Sequence, residues 1–302
     1  MRIASLLSSA TEIVYELGLE DRLVAISHEC DWPPEALRLP RLSRSRFDPA
    51  GLTSGEIDAE VRRCMAEHGS VYQVDVDALR EARPDLILTQ AVCEVCAVPT
   101  GSVNEAVAAL PFQPRVLSLD SHTLEEILES LRQVADAAGE PERGGETAAR
   151  LRGRIDRVRR AVAGRPRPRV LALEWLDPPF APGHWIPEMI ELAGGRSLIG
   201  RTGGHSVEVP WEEVEGLDPD FLLLVPCGYD LDHARDDAAR ARARLHALAP
   251  RAVREGRAAI GHSAYFSRSG PRVVAGIEAL AAALHPDALD GGAAEGIVER
   301  WS

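Results

Sequence analysis

Short apolar runs recur along the chain, each closing in a polar or glycine-containing loop: RIASLL, RLVAIS, DLILTQ, RVLSLD, RVLALEW, FLLLVP and AAIGHS. None is long enough to be a helix by itself, and most are separated by stretches with helical spacing. That alternation predicts α/β units built on mainly parallel sheets.

The two halves echo each other. RIASLLSSATEIVYELG and RVLALEW…IPEMIELAGG each read as a strand, a loop and a short helix that carries Glu and ends at Gly. DALREARPDLILT matches EEVEGLDPDFLLLV, where a proline stops a helix just before a buried strand. Between the halves, Leu124, Ile127, Leu128, Leu131 and Val134 fall at helical spacing, and the pattern resumes at Leu151, Ile155, Val158 and Val162 after a Gly-Glu-Pro break. The expected fold is therefore α/β, with two Rossmann-like lobes of mainly parallel sheets joined by a long backbone helix. Its boundaries are an N-terminal lobe at 1–122, the helical connection at 123–165 and a C-terminal lobe at 166–302.

Such a strut would hold the lobes around a cleft, and parallel sheets gather ligands at the carboxyl ends of their strands. The loops expected there are SHECDWPP, TQAVCEVCAV and SLDSH, then EWLDPPFAPGHW, PCGYD and GHSAYFSRSGPR. Aromatic residues are only 5% of the chain, yet Trp32, Trp175, Phe180, Trp185, Tyr229, Tyr265 and Phe266 all lie in these loops. That concentration suits a broad, flat, partly apolar ligand.

Charge and composition narrow the partners. A net charge of −13 over 302 residues argues against nucleic acid, since binders of phosphate backbones concentrate Lys and Arg. No stretch reaches the ~20 apolar residues of a membrane-crossing helix, so membrane insertion is not expected. The first residues lack the regions of a secretion signal, and five cysteines fit reduced thiols better than a disulfide framework. Together these predict a cytoplasmic protein, with a periplasmic or extracellular setting as the alternative.

The fragments SSATEIVYELG, SHECDWPPEA, RPDLILTQ, LEWLDPPFAPGHW, VPWEEVEGLDPDFLLLV and YFSRSGPRVV, in that order, resemble the cobalamin-binding proteins that serve bacterial corrinoid importers, within the helical-backbone metal-receptor superfamily. The resemblance spans essentially the whole chain. It implies binding of cobalamin or another corrinoid without catalysis, and delivery to an ABC permease. Carried over by position, it assigns ligand contacts to Ser9, Glu29, Trp32, Trp175, Phe180, Phe266 and Arg268. Gln90, Trp185, Tyr229 and Tyr265 join them as strand-end candidates. The resemblance also implies acidic residues that meet permease arginines, matched here by Asp77 and Glu212, which otherwise read as helix N-terminal acids complementing the dipole.

One feature departs from that family. His28, Cys30, Cys93 and Cys96 offer an imidazole and three sulfurs in strand-end loops, a donor set suited to zinc, cobalt or the metal of a chelate. Two other readings stand beside this one: a redox dithiol, although CEVC lacks the usual small or proline interior, and buried thiols that only pack. A zinc-deaminase arrangement is excluded, because Glu29 directly follows His28 and Val92, not proline, precedes Cys93. AGGR and TGGH lack the spacing of phosphate loops and read as turns. Binding is thus favoured over catalysis, with a cytosolic metal-handling protein or enzyme on the same scaffold as the alternative.

Overall fold

The computed structural model describes residues 1–91, 98, 100–289 and 291–302. The chain divides into two compact units: residues 1–52, 56–121 and 125–150 form the first, and 53–55, 122–124 and 151–302 the second.

In the first half of the chain β1 (Ile3–Ser5) runs into α1 (Ser8–Glu16) and is followed by β2 (Leu23–Ala25), β3 (Ser43–Ser45) and α2 (Ser54–His68). β4 (Tyr72–Val74), α3 (Val76–Ala82), β5 (Leu86–Thr89), α4 (Thr100–Ala108) and β6 (Arg115–Ser118) come next, and α5 (Leu124–Ala138) leads out. Four strands make a parallel sheet in the order β2-β1-β5-β6. β3 and β4 pair separately as an antiparallel ribbon. Ala4, Leu6, Ala25, Leu79, Ile87, Val98 and Val103 form the core beneath the sheet. β1 and β5 are buried along their whole length, which is why they read as continuous rather than alternating runs, whereas β6 is partly exposed.

The helical connection is two helices, α5 and α6 (Pro141–Val162). Gly139, at φ 77°, ends the first and Pro141 opens the second, the usual placement of these two residues at a stop and a start. The apolar positions read from the spacing, from Leu124 to Val134 and from Leu151 to Val162, are all buried.

The second unit repeats the plan. β7 (Arg169–Leu173), β8 (Trp175–Leu176), β9 (Pro179–Ala181), α7 (Ile186–Leu192), β10 (Arg196–Ser197) and β11 (Val207–Glu208) lead to α8 (Trp211–Val214) and β12 (Phe221–Leu224). α9 (Leu231–Arg240), α10 (Arg242–Leu248), α11 (Pro250–Arg254), β13 (Ala258–Gly261), α12 (Val273–Leu284) and β14 (Val298–Arg300) complete it. Its main sheet runs β10-β7-β12-β13-β14, parallel except for β14. A small antiparallel sheet, β11-β9-β8, takes two of its strands from the stretch EWLDPPFA, which the sequence pattern presents as a loop.

The echo heard in the sequence is a matching clip. Arg83 ends α3 at φ 43° before Pro84-Asp85, and Asp218 precedes Pro219-Asp220 at the same φ. The Asp85 carboxylate accepts from the Arg2 amide at 2.7 Å, and Asp220 accepts from the Arg169 amide at 2.8 Å. In turn the Arg2 side chain donates to the Ala82 and Arg83 carbonyls, while Arg169 donates to those of Leu217 and Asp218. Each clip fastens the start of β1 or β7 to the segment that leads from a helix into the neighbouring strand, β5 or β12. Among the described residues no helix is long and apolar enough to cross a membrane.

Candidate functional site

In each main sheet the strand order turns around next to the central strand, β1 in the first unit and β7 in the second. Ligands of open α/β sheets bind beyond the carboxyl ends of the strands at such a point. In the first unit these ends place Ser9 in α1 and Gln90 after β5, both buried. Thr89 Oγ1, at the end of β5, donates to the Val98 carbonyl at 2.9 Å. Cys93 and Cys96 lie outside the described residues.

His28 and Cys30 are each drawn into local bonds. His28 Nδ1 lies 2.8 Å from Ser43 Oγ, its Nε2 is 3.0 Å from Glu29 Oε1, and its ring packs 5.0 Å from that of Tyr72. The Cys30 sulfur is buried, 3.1 Å from Thr11 Oγ1. Glu29 and Trp32 face solvent, Trp32 at 37% exposure. Among the described residues no group of three or more His, Cys, Asp or Glu side chains, as they stand, is placed to hold a metal ion.

The second unit carries most of the aromatic candidates at its switch point. Trp175, at the start of β8, and Tyr229, from the loop after β12, lie 5.1 Å apart between ring centres with their planes tilted by 51°. Phe180 pairs with Trp175 across the β8–β9 ladder, so backbone register holds two of these three partly exposed rings. Burial, followed by the nearby Asp237 carboxylate, pushes the Tyr229 phenol up to about 12, and it stays protonated. Trp185 and Phe266 are different in kind. Both are buried, and the Trp185 indole N–H donates to the Phe266 carbonyl at 2.6 Å, fastening the turn before α7 to the one before α12. Tyr265 sits under the Arg272 guanidinium at 5.1 Å, and Arg268 is partly exposed in the same loop.

Two groups at this end of the second unit escaped the sequence reading. Glu174, the residue after β7, is only 9% exposed, and burial lifts its carboxyl to about 7 against the opposing bonds from Ser206 and Gly183. Its backbone is pinned on both sides, donating to the Phe180 carbonyl and accepting from the Cys227 amide, each at 3.0 Å.

The second group is three histidines from three loops. The rings of His122, His184 and His205 lie 5.4, 5.5 and 5.6 Å apart. His184 adopts φ 49°, a left-handed conformation uncommon for a non-glycine residue. It is held there by its amide donating to the Gly204 carbonyl at 2.6 Å and its carbonyl accepting from Gly203 at 2.8 Å. A Cβ on Gly183 would come within 2.3 Å of the Ser206 nitrogen, so only glycine lets the two loops lie this close. Burial, then the neighbouring His122 and His205, lowers His184 to about 4. The sequence signals for these residues were weak: one His at the end of SLDSH, one in PGHW and one in TGGH, the last read only as a turn.

Asp77 and Glu212 are exposed, each in the first turn of its helix, α3 or α8, and Asp77 pairs with Arg80. A cavity of about 350 Å³ lined by Pro168, Phe221, Arg257, Ala282 and Leu284 lies at the opposite ends of β7, β12 and β13. It is therefore remote from the switch point.

Parallel α/β units that collect rings and polar groups at their strand ends have the form of a ligand-binding scaffold. The chain belongs to the periplasmic binding protein family, which matches residues 3–264. It is 28% identical over 217 residues to the vitamin B12-binding protein of Vibrio cholerae, covering 70% of this chain and 64% of that one. The chain thus spans less than two thirds of that relative. A vitamin B12-binding protein of Photorhabdus laumondii subsp. laumondii is 22% identical over 283 residues, covering 93% and 86% of the two chains.

Two solved structures share the fold. The periplasmic vitamin B12 binding protein of Vibrio cholerae superposes with a TM-score of 0.68 at 23% identity, over 94% of this chain and 96% of that one. A periplasmic heme binding protein from Pseudomonas aeruginosa gives 0.71 at 22% identity, over 100% and 98%. The family corrects the cytoplasmic expectation, since its members are periplasmic binding proteins. Cysteine number reflects compartment only loosely. The alternative of a cytosolic metal-handling enzyme finds no support among these relatives.

Proposed function

We propose that this protein is the periplasmic binding component of an importer and that its ligand is a corrinoid of the cobalamin type. The observation that carries this reading is the Trp175–Tyr229 pair, with Phe180 beside it, at the switch point of the second unit. A broad tetrapyrrole-like ring offers a flat apolar face, and partly exposed rings are suited to cover it. The vitamin B12-binding relatives favour a corrinoid. Heme is the second reading, favoured by the heme-binding protein with the same fold.

On this reading Asp77 and Glu212 are the acids that dock to arginines of an ABC permease. Both are exposed at the starts of their helices, with carboxylates free of burial costs.

Visible-absorbance titration of the purified protein with cyanocobalamin and with hemin, alongside tryptophan emission, tests the proposal. A corrinoid that saturates at one equivalent and quenches emission supports it. Saturation by hemin alone replaces the corrinoid with heme, and response to neither overturns both readings.

A further inference from the structure

We propose that His122, His184 and His205 form a three-imidazole site for a divalent transition ion of zinc-like geometry, reached by turning the rings about their χ2 torsions. The first argument is the size of the triangle. A nitrogen bound at about 2.1 Å puts the imidazole centre about 3.2 Å from the ion, so two ligands at a tetrahedral angle have centres about 5.2 Å apart and at 120° about 5.5 Å apart. Octahedral ligands at right angles would bring the centres to about 4.5 Å. With that arm length the observed separations of 5.4, 5.5 and 5.6 Å correspond to about 115–122° between ligands, three imidazoles nearly coplanar with the ion and an axial position left open for a fourth ligand. They do not match the octahedral shell of magnesium or manganese.

The second argument is the direction of motion. As the side chains stand, the nitrogens do not make a metal site. The centre of an imidazole lies close to the line of its Cβ–Cγ bond, so rotation about χ2 swings the nitrogens and leaves the triangle of centres nearly unchanged. That torsion is soft and broadly populated in histidine. His184 Nδ1 is buried without a hydrogen-bond partner, so no bond to that atom has to break.

The third argument is the fixity of the loops. His184 is clamped by two backbone bonds to Gly203 and Gly204, next to His205, and Gly183 permits their close approach. A left-handed residue held by its surroundings at such a place is a mark of a functional position. Neutral imidazoles suit zinc, copper and nickel, and a fourth position would be left for water or an incoming ligand.

The site is independent of the chelate proposed above, and its test uses cobalt(II) alone as a spectroscopic stand-in for zinc. The full chain, stripped with chelator, is titrated with CoCl2 and then with ZnCl2. Expected are visible d–d bands of tetrahedral intensity saturating at one equivalent, without near-ultraviolet thiolate charge transfer, and their loss on adding zinc. His122→Gln, His184→Gln and His205→Gln should each weaken binding by about tenfold or more, since even outer-shell changes at metal sites cost that much. His233→Gln, an exposed histidine paired with Asp230, and the Cys93→Ala/Cys96→Ala double variant should bind like the parent. If His184→Gln fails to fold, His122→Gln and His205→Gln carry the comparison. The proposal falls if the parent gives no tetrahedral bands at tenfold excess cobalt. It falls equally if the bands vanish in the cysteine variant, or survive unchanged in the histidine variants.

Discussion

Glu174→Gln separates a buried acid from an ordinary surface one. The carboxyl rises from 4.5 to about 7 because burial disfavours the charged form more than the Ser206 and Gly183 bonds stabilise it. Between these two values the folded chain holds a proton that the unfolded chain has released. Stability from this group is therefore complete below about pH 4.5 and is lost as the pH rises through 7. A shift of about 2.5 units corresponds to about 3 kcal/mol. Glutamine fills nearly the same volume, still accepts from Ser206 and does not titrate, so the variant should gain on the parent by about 3 kcal/mol between pH 4 and pH 8. Whatever constant offset the amide introduces cancels in that comparison. Urea unfolding followed by tryptophan emission is the assay, and it reports the second unit, where Trp175, Trp185, Trp211 and Trp301 lie. A difference between the two proteins that stays flat from pH 5 to pH 8 would refute the reasoning, because it would mean that Glu174 is hydrated and ionises as a surface glutamate does.

Trp175→Ala should weaken corrinoid or heme binding by about 1–3 kcal/mol, roughly five- to 150-fold in Kd, read by visible titration. An unchanged Kd would move the ligand away from the Trp175–Tyr229 pair. Gly200→Ala should cost about 2 kcal/mol or more in urea unfolding, because Gly200 has φ 85° and a Cβ there would come within 2.1 Å of the Pro182 carbonyl oxygen. Asp220→Ala should cost about 1–3 kcal/mol by stranding the Arg169 amide. The Arg169 amide and then the Arg251 guanidinium hold the Asp220 carboxyl below its usual range, so the loss should be full near neutrality and fade as the pH falls through that depressed value.

The strands and the connecting helices were legible because their signal is local. FLLL and RVLAL are buried over their length, apart from a partly exposed Arg169, and the apolar stripe of α5 points inward without a break. The Pro-Asp echo was equally readable, since proline stops a helix whatever surrounds it. The β8–β9–β11 sheet was not, because strands of two or three residues carry no period and exist only through their partners. The histidine triangle was invisible for a stronger reason. His122, His184 and His205 stand 62 and 21 positions apart, and nothing but the folded backbone brings their loops together. Burial sorted the aromatic candidates in a way that spacing could not. Trp175 and Tyr229 keep a face to solvent, whereas Phe266 is wholly enclosed and Trp185 spends its indole N–H on a backbone carbonyl. The cytoplasmic expectation failed because thiol content is a property of composition, and composition says little about where a chain is delivered.

The paired Arg–Pro-Asp clips give the two ends of each sheet different freedoms. At the entry of β1 and β7 every polar group named in the clip is committed, amide to carboxylate and guanidinium to the carbonyls before the Pro-Asp pair, so change there loosens the frame itself. At the exit a few anchors, Trp185 and Gly183 among them, hold the loops, while Trp175, Phe180 and Tyr229 keep partly exposed faces. A lineage carrying this chain could therefore exchange the rings and imidazoles at the exits, and with them its preferred cargo, while the folding of each unit stayed under the control of an aspartate and an arginine at the far end.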